Sequence, residues 1–140
     1  MTRAYTGGCA CGALRYEIAA EPLVMLDCQC RQCQRESGTG HASHLTFPRA
    51  AAAISGPATR WQATGDGGVV KERAFCPVYG APVYMTFPAL PDFLVVRAAS
   101  LDDPSRYRPE MVVWHDAAQP WDHVDPSLPA FARMPPPAEG

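Results

Sequence analysis

Apolar and polar residues alternate along most of this chain, which is the pattern of β-strands that bury one face. Between residues 13 and 18, the alternation puts Leu14, Tyr16 and Ile18 on the same side of a predicted strand. The glycines within residues 65–68 predict a hairpin turn, because tight turns use positive φ angles that glycine accepts. The other predicted strands are residues 23–26, 41–47, 58–63, 69–75, 82–87, 93–97 and 111–114.

No segment shows a convincing helical period, and the glycines that follow the central cysteines argue against a helix there. The alanine run at 50–53 favours a helix by propensity, but it is short and Ser-Gly-Pro follows it. Short strands separated by turns predict an all-β domain. We find no internal repeat or linker, so we expect one domain over residues 1–134 and a flexible, proline-rich tail over residues 135–140.

Charge and hydropathy exclude several classes of protein. Lys and Arg number 12 against 14 Asp and Glu, a net charge of -2 at pH 7, and the basic cluster of a dedicated nucleic-acid binder is missing. No apolar run approaches the ~18 residues of a membrane span. The N-terminal residues lack the apolar segment of a secretory signal, so we expect a cytoplasmic protein.

The spacing of the six cysteines decides between disulfides and metal. Cysteines one or two residues apart form a disulfide only with strain, and a reducing cytoplasm keeps thiols free. The same spacing lets thiolates converge on one tetrahedral zinc ion at Zn–S distances of ~2.3 Å. The sequence therefore predicts zinc ligands, which fall into a pair, a triad and a single residue: Cys9 and Cys11; Cys28, Cys30 and Cys33; and Cys76.

The triad of Cys28, Cys30 and Cys33 offers three thiolates from one short stretch. Three protein ligands leave the fourth position of a tetrahedral zinc open to water or substrate, as in catalytic sites. A closed structural zinc site is one alternative. A redox pair of Cys30 and Cys33 is another, but such pairs accompany a βαβ unit that this sequence does not predict.

Two further segments have the composition of metal-binding turns. Cys9 and Cys11 stand between glycines that allow backbone N–H groups to point at the sulfurs. Cys76 is followed by Pro-Val-Tyr-Gly, whereas the usual zinc-ribbon form is Cys-Pro-x-Cys-Gly. Tyr79 therefore stands where a second cysteine is usual.

Several motifs occur in the same order as in a known family. They are residues 8–17, the three cysteines of 28–33, and residues 37–41, 75–77, 80–84, 100–104 and 119–121. Together they cover nearly the whole chain. The sequence resembles the glutathione-dependent formaldehyde-activating enzyme family, also called the centromere protein V family.

This resemblance implies a β-tent fold, in which two packed antiparallel sheets carry zinc-binding turns. It implies a catalytic zinc on the triad Cys28–Cys33, and a structural zinc on Cys9, Cys11 and Cys76. Because Tyr79 leaves that structural site one ligand short, we expect it to be empty or partly occupied. A fourth ligand from water or a nearby side chain is the alternative.

The activity that the resemblance implies is the addition of glutathione to formaldehyde, which gives S-hydroxymethylglutathione, a carbon–sulfur lyase reaction. Zinc would lower the pKa of the incoming thiol and polarise the aldehyde. The expected partners are a small thiol and a small aldehyde, with neither nucleic acid nor membrane. The rival interpretation is a non-catalytic β-tent module that binds a protein.

Five residues near the triad are candidates for binding glutathione. Arg31 and Arg35 suit its carboxylates, although a solvated face explains them equally well. Gly38 and Gly40 would let the backbone approach a peptide-like ligand, or simply form a turn. His41 belongs to the family-like Gly-His step and is expected to orient or ligate near the metal.

Overall fold

The computed structural model describes residues 3–135. Within them the chain forms ten strands and one α-helix. The predicted tail, residues 135–140, lies outside the described residues except for Pro135. The elements are β1 (Tyr5–Gly8), β2 (Arg15–Ile18), β3 (Val24–Cys28), α1 (Arg31–Ser37), β4 (Ala42–Pro48), β5 (Ala52–Ser55), β6 (Thr59–Thr64), β7 (Val70–Phe75), β8 (Pro82–Thr86), β9 (Phe93–Arg97) and β10 (Met111–Val113).

The strands form two sheets, which confirms the predicted all-β fold. The small sheet has the order β1-β2-β5, and the large sheet has the order β10-β3-β4-β9-β8-β7-β6. One detail of the prediction is wrong, because β10 pairs with β3 in parallel while the other pairs are antiparallel. Residues 29–110 separate these two parallel partners along the chain, so the connection is far longer than the minimum that a parallel pair requires.

The core lies between the two sheets. Leu14 and the β2 residues Tyr16 and Ile18 are 0%, 3% and 0% exposed, which confirms the predicted alternation. They pack in one apolar cluster with residues of the large sheet such as Leu45 and Val96. One face of the large sheet is thus covered by the small sheet.

The opposite face of the large sheet carries the chemistry. Side chains two residues apart share a face of a strand, so Leu26 and Cys28 of β3 lie on the same side. His44 of β4 is paired with Leu26 on one side and with Arg97 of β9 on the other. The strands therefore bring a thiol, an imidazole and a guanidinium to one surface.

Helix α1 corrects the expectation that no helix follows the central cysteines. The Cys30 sulfur caps its first turn by accepting a hydrogen bond from the Cys33 amide at 3.3 Å. Gly38 ends it in the left-handed conformation, with φ of 75°, and its amide donates to the Gln34 carbonyl at 3.0 Å. The glycine therefore terminates a helix. Seven residues are too few to show a helical period in the sequence.

Two other segments differ from the sequence interpretation. The alanine run forms a 3-10 turn, Arg49–Ala51, and then enters strand β5, whose pairing with β2 outweighs the helix propensity of alanine. Strand β1 was not predicted, because its sequence Tyr-Thr-Gly-Gly carries a single large apolar residue. In residues 3–135, no helix is long and apolar enough to cross a membrane.

Candidate metal centres

Strand β3 and helix α1 bring the three central cysteines together. Cys28 is the last residue of β3, Cys30 caps α1, and Cys33 lies in its first turn. Their sulfurs lie within 4.8 Å of one another. All three are buried, at 5%, 5% and 0% exposed, and none forms a disulfide.

The other three cysteines also form a cluster, which consists of Cys9, Cys11 and Cys76. Cys11 Sγ lies 3.6 Å from Cys9 Sγ and 3.5 Å from Cys76 Sγ. Thiolates bound to one tetrahedral zinc at ~2.3 Å lie ~3.8 Å apart, so these separations suit a shared ion. Both clusters are compatible with zinc, as the spacing predicted.

Hydrogen bonds within the triad distribute its protons unevenly. The bond from Cys28, followed by the bond from Cys33, lowers the pKa of Cys30 to about 2. The bond from Cys28 also lowers the pKa of Cys33 to about 7. The hydrogen bonds that Cys28 forms with Cys30 and Cys33 raise the pKa of Cys28 itself. The shifts thus favour thiolates, the form that binds metal, at Cys30 and Cys33, and favour the thiol at Cys28.

Two basic side chains of the large sheet approach Cys33. His44 Nε2 lies 4.0 Å from its sulfur, and Arg73 Nη2 lies 3.9 Å from it. Burial lowers the pKa of His44, so this ring is neutral at pH 7. The guanidinium of Arg73 is therefore the positive charge beside the Cys33 sulfur.

Arg73 belongs to a buried charge cluster under helix α1. Glu36 of the helix forms ion pairs with both Arg73 and Arg97. Arg73 is 1% exposed and Arg97 is 8% exposed. Arg73 also donates to Gln32 Oε1 at 2.9 Å. Two arginines and one glutamate leave one net positive charge next to the thiolates.

The sequence interpretation missed this cluster. Arg73 follows two other charged residues in β7, and Arg97 ends a run of four apolar residues in β9. Charged residues at such positions usually face solvent. No local sequence signal marks these two arginines as buried, because their burial follows from the strand order, in which both strands have neighbours on each side. A charge in the middle of a covered sheet requires a partner.

A cavity of about 500 Å³ borders the triad. Cys28 and Cys30 lie in its wall, together with His44 from the same face of the sheet. The β6–β7 hairpin and the C-terminal segment complete the wall, through residues such as Lys71 and Met134. Two of the three clustered thiols are thus accessible to a molecule in this cavity.

The second cluster stands on two turns that join strands. The Cys9 amide donates to the Leu14 carbonyl at 2.9 Å, and the Gly80 amide donates to the Cys76 carbonyl at 2.7 Å. Gly80 has φ of 88°, which glycine adopts without strain. Backbone hydrogen bonds, the largest from Tyr79, lower the pKa of Cys76 to about 7. The N–H groups of Tyr79 and Val78 thus point at the Cys76 sulfur.

The second cluster has three candidate ligands within the described part of the chain. No His, Asp or Glu of residues 3–135 joins Cys9, Cys11 and Cys76 in the group. Tyr79 is 64% exposed. Cys11 is exposed as well, so one side of this cluster faces solvent.

The predicted glutathione-binding residues of helix α1 lie outside the cavity wall. Arg31 and Arg35 are exposed, and Arg31 donates to Gln34 Oε1 at 3.2 Å. Gly38 is the residue that ends the helix. Binding of glutathione by these residues stays a prediction.

Gly40 and His41 contact the C-terminal segment through Asp122. His41 Nδ1 lies 2.9 Å from Asp122 Oδ2. A side chain at Gly40 would collide with the Asp122 carboxylate. Gln29, which follows Cys28, donates to the same carboxylate at 3.0 Å. A metal-orienting role for His41 also stays a prediction.

Comparison with known proteins agrees with this arrangement. The family model of the glutathione-dependent formaldehyde-activating enzyme matches residues 4–117. A search of curated proteins found no match. The crystal structure of a Rhodobacter sphaeroides protein is similar, with a TM-score of 0.56 and 19% sequence identity over 90% of this chain and 98% of that chain. That likeness concerns the fold. The family match covers most of the chain and both cysteine clusters, so the chain belongs to the glutathione-dependent formaldehyde-activating enzyme family.

Proposed function

We propose that this protein is a zinc-dependent enzyme of the carbon–sulfur lyase type, which adds glutathione or a similar thiol to formaldehyde or another small aldehyde. One observation carries the proposal: the unpaired thiols of Cys28, Cys30 and Cys33 meet within 4.8 Å, and two of them line a cavity. Family membership supports the same chemistry.

The reaction forms one carbon–sulfur bond and needs no oxidant or reductant. The thiol sulfur bonds to the aldehyde carbon, the carbonyl double bond becomes a single bond, and the thiol proton ends on the oxygen. The product is an S-hydroxyalkyl thioether. The protein therefore has to generate a thiolate and hold it beside the aldehyde.

Cys28, Cys30 and Cys33 would hold the zinc ion. Zinc bound there would lower the pKa of the incoming thiol and polarise the aldehyde carbonyl. The three cysteines leave room for substrate because no fourth His, Asp or Glu of residues 3–135 joins them. The buried arginine beside Cys33 offsets the negative charge of the thiolates.

Cys9, Cys11 and Cys76 would hold a structural zinc of lower occupancy. Their position between β1, the β1–β2 turn and the end of β7 links the small sheet to the large one. Six free thiols persist in a reducing compartment. We therefore also propose a cytoplasmic location.

The test measures adduct formation from glutathione and formaldehyde by NMR exchange spectroscopy, above the uncatalysed rate. Zinc-loaded wild-type protein is expected to accelerate it, and Cys30→Ser is expected to abolish the acceleration because the ion loses a ligand. Ala53→Ser adds the same hydroxyl at an exposed position of β5 and should behave as wild type. Acceleration by Cys30→Ser equal to wild type would overturn the proposal.

Retention on immobilised glutathione tests the rival interpretation as a protein-binding module. We expect wild-type protein to be retained and Cys30→Ser to be retained less, because the thiol binds at the triad. Equal retention of both, or of neither, together with no acceleration of the reaction, would favour the module.

A further inference from the structure

The cavity beside the triad is much larger than formaldehyde requires. Its volume is about 500 Å³, whereas formaldehyde has two non-hydrogen atoms and one water occupies ~30 Å³ of the liquid. Pockets of this size commonly enclose drug-sized ligands. Formaldehyde would therefore leave most of this cavity unfilled.

The large sheet and Trp114, which follows β10, contribute mostly apolar residues to the cavity wall, apart from polar residues such as His44 and Thr46 of β4. We call the apolar part the cavity floor. It consists of Leu26, Met85, Val95, Val113 and Trp114, which are between 1% and 9% exposed. The outer face of a sheet in contact with water usually carries polar side chains. An apolar floor in a concave site indicates a ligand with apolar surface.

Apolar side chains continue from the floor to the mouth of the cavity. Val69, Leu90 and Met134 line it and are 43%, 48% and 58% exposed. Val69 belongs to the β6–β7 turn, Leu90 to the β8–β9 loop and Met134 to the C-terminal segment, so three separate segments add apolar surface to the cavity. A ligand that entered here would bury these side chains as well.

The charged groups of the cavity wall come from two segments outside the floor. Lys71 and Asp66 belong to the β6–β7 hairpin, and Arg133 belongs to the C-terminal segment. The Arg133 guanidinium lies over the Trp114 ring, 5.1 Å from its centroid, and its side chain is 65% exposed. Two cations at the mouth suit the carboxylates of glutathione, which leaves the floor to the aldehyde.

We infer that the aldehyde substrate carries an apolar chain or ring, which lies on the cavity floor while its carbonyl group faces Cys28 and Cys30. This inference rests on the proposed function for the identity of the reacting groups. It changes the expected substrate from formaldehyde to a larger aliphatic or aromatic aldehyde. The carbon–sulfur bond forms as above, and the apolar chain takes no part in it.

A binding experiment tests the cavity without any reaction. Linear alcohols from ethanol to octanol are unreactive analogues of the aldehydes, and NMR titration of the zinc-loaded protein measures their affinity and locates them. We expect affinity to rise about fourfold for each buried methylene, with shifts at Val95 and Trp114. Equal affinity for ethanol and hexanol, or shifts elsewhere on the protein, would overturn the inference.

A substitution that fills the cavity provides the control on location. Val95→Phe places a ring over the floor and is expected to flatten the dependence of alcohol affinity on chain length. The milder Val95→Leu is expected to flatten it less. Val70→Phe makes the same change at a residue that is 37% exposed and outside the cavity wall. It should leave the dependence intact. Flattening by Val70→Phe equal to that by Val95→Phe would contradict the assignment.

Rate measurements then distinguish this inference from the proposed function. With glutathione fixed, kcat/KM is expected to be at least tenfold higher for hexanal than for acetaldehyde. Acceleration with formaldehyde but no gain with chain length would overturn the inference and leave the proposed function intact. Graded alcohol binding without acceleration for any aldehyde would overturn the proposed function, and with it the aldehyde as the ligand, and would leave the floor as an apolar binding site. A gain that follows the chain length of the thiol would assign the floor to the other substrate.

Discussion

The guanidinium of Arg73 lies 3.9 Å from the sulfur of Cys33, at a position that is 1% exposed. Zinc with three thiolates carries one net negative charge. Arg73, Arg97 and Glu36 together carry one net positive charge directly beside it. Charges that are removed from water are stabilised when their neighbours neutralise them, so the two groups complement each other.

Arg73→Met is therefore expected to weaken zinc binding at the triad. It removes the cation beside Cys33 and leaves Glu36 with a single partner. Loss of an outer partner of a metal ligand typically reduces affinity about 10- to 100-fold. Competition with a chromophoric chelator measures the change in zinc affinity. The protein also carries Cys11→Ser, so that only zinc binding at the triad is observed.

Arg97→Met is the matched control for this prediction. It breaks the other ion pair of Glu36, so the two variants should lose similar stability, about 3–5 kcal/mol for a broken buried pair. The loss in zinc affinity should be greater for Arg73→Met, because Arg73 is the arginine in contact with the Cys33 sulfur. Equal losses of affinity would mean that the cluster supports the fold and does not balance the thiolate charge.

The buried pair of Arg73 and Glu36, which the sequence did not predict, also shows which features can be predicted from a sequence. The alternation at Leu14, Tyr16 and Ile18 predicted both the strand and its buried face, because side-chain direction in a strand depends on neighbouring residues alone. The cysteine groups were predictable for the same reason, since ligand spacing is local. The pairing of Arg73 with Glu36 joins residues far apart in sequence, and no local pattern encodes it.

Helix α1 could not be predicted for a related reason. Its first turn depends on the Cys30 sulfur as a cap, and cysteine is not among the usual capping residues. The cavity floor was also beyond local reasoning. It combines residues of β3, β8, β9 and β10 with Trp114, and only the order of the strands brings them together.

Tyr79→Cys is expected to complete the second cluster. It places a fourth thiolate on the turn that carries Cys76, in a position where Tyr79 is 64% exposed and packs little. Zinc content per chain should rise to two. With free zinc at 100 times its dissociation constant, the bound ion adds about 2.7 kcal/mol to the stability, so the melting temperature should rise.

Tyr79→Ser removes the same side chain without adding a ligand and should change neither zinc content nor melting temperature. Metal analysis by mass spectrometry and calorimetry measure the two quantities. Two zinc ions per chain in freshly purified wild-type protein would contradict the prediction that this site is empty or partly occupied.

The ion pair of Arg15 with Asp102 makes stability depend on pH. Its hydrogen bonds, the largest from Arg15, lower the pKa of Asp102 to about 2, against ~3.9 for an unfolded chain. Because the folded pKa is the lower one, the contribution is fully present above about pH 4 and is lost as the pH falls toward 2. The two side chains are 38% and 47% exposed, so the effect is at most about 1 kcal/mol.

Asp102→Asn should therefore lower the melting temperature at neutral pH, and the difference from wild type should vanish near pH 2. Differential scanning calorimetry against wild type at each pH cancels the loss of zinc in acid, which both proteins share. Asp103→Asn removes the charge that pairs with Arg3 at 3.4 Å and keeps an oxygen that can accept from the Ser105 amide, so it should have a smaller effect. A difference that persists unchanged at pH 2 would rule out the carboxylate as its source.

Gly40→Ala distinguishes a structural role of Gly40 from contact with glutathione. The added methyl group would collide with the Asp122 carboxylate, which accepts hydrogen bonds from Gln29 and pairs with His41. We expect a loss of about 1–3 kcal/mol, the usual range for overpacking. In an Asp122→Ala background the collision is absent, so the same substitution should cost much less. Urea unfolding of the four proteins gives the coupling between the two residues. If Gly40→Ala instead raised KM for glutathione equally in both backgrounds, with stability unchanged, the backbone at Gly40 would be a ligand contact.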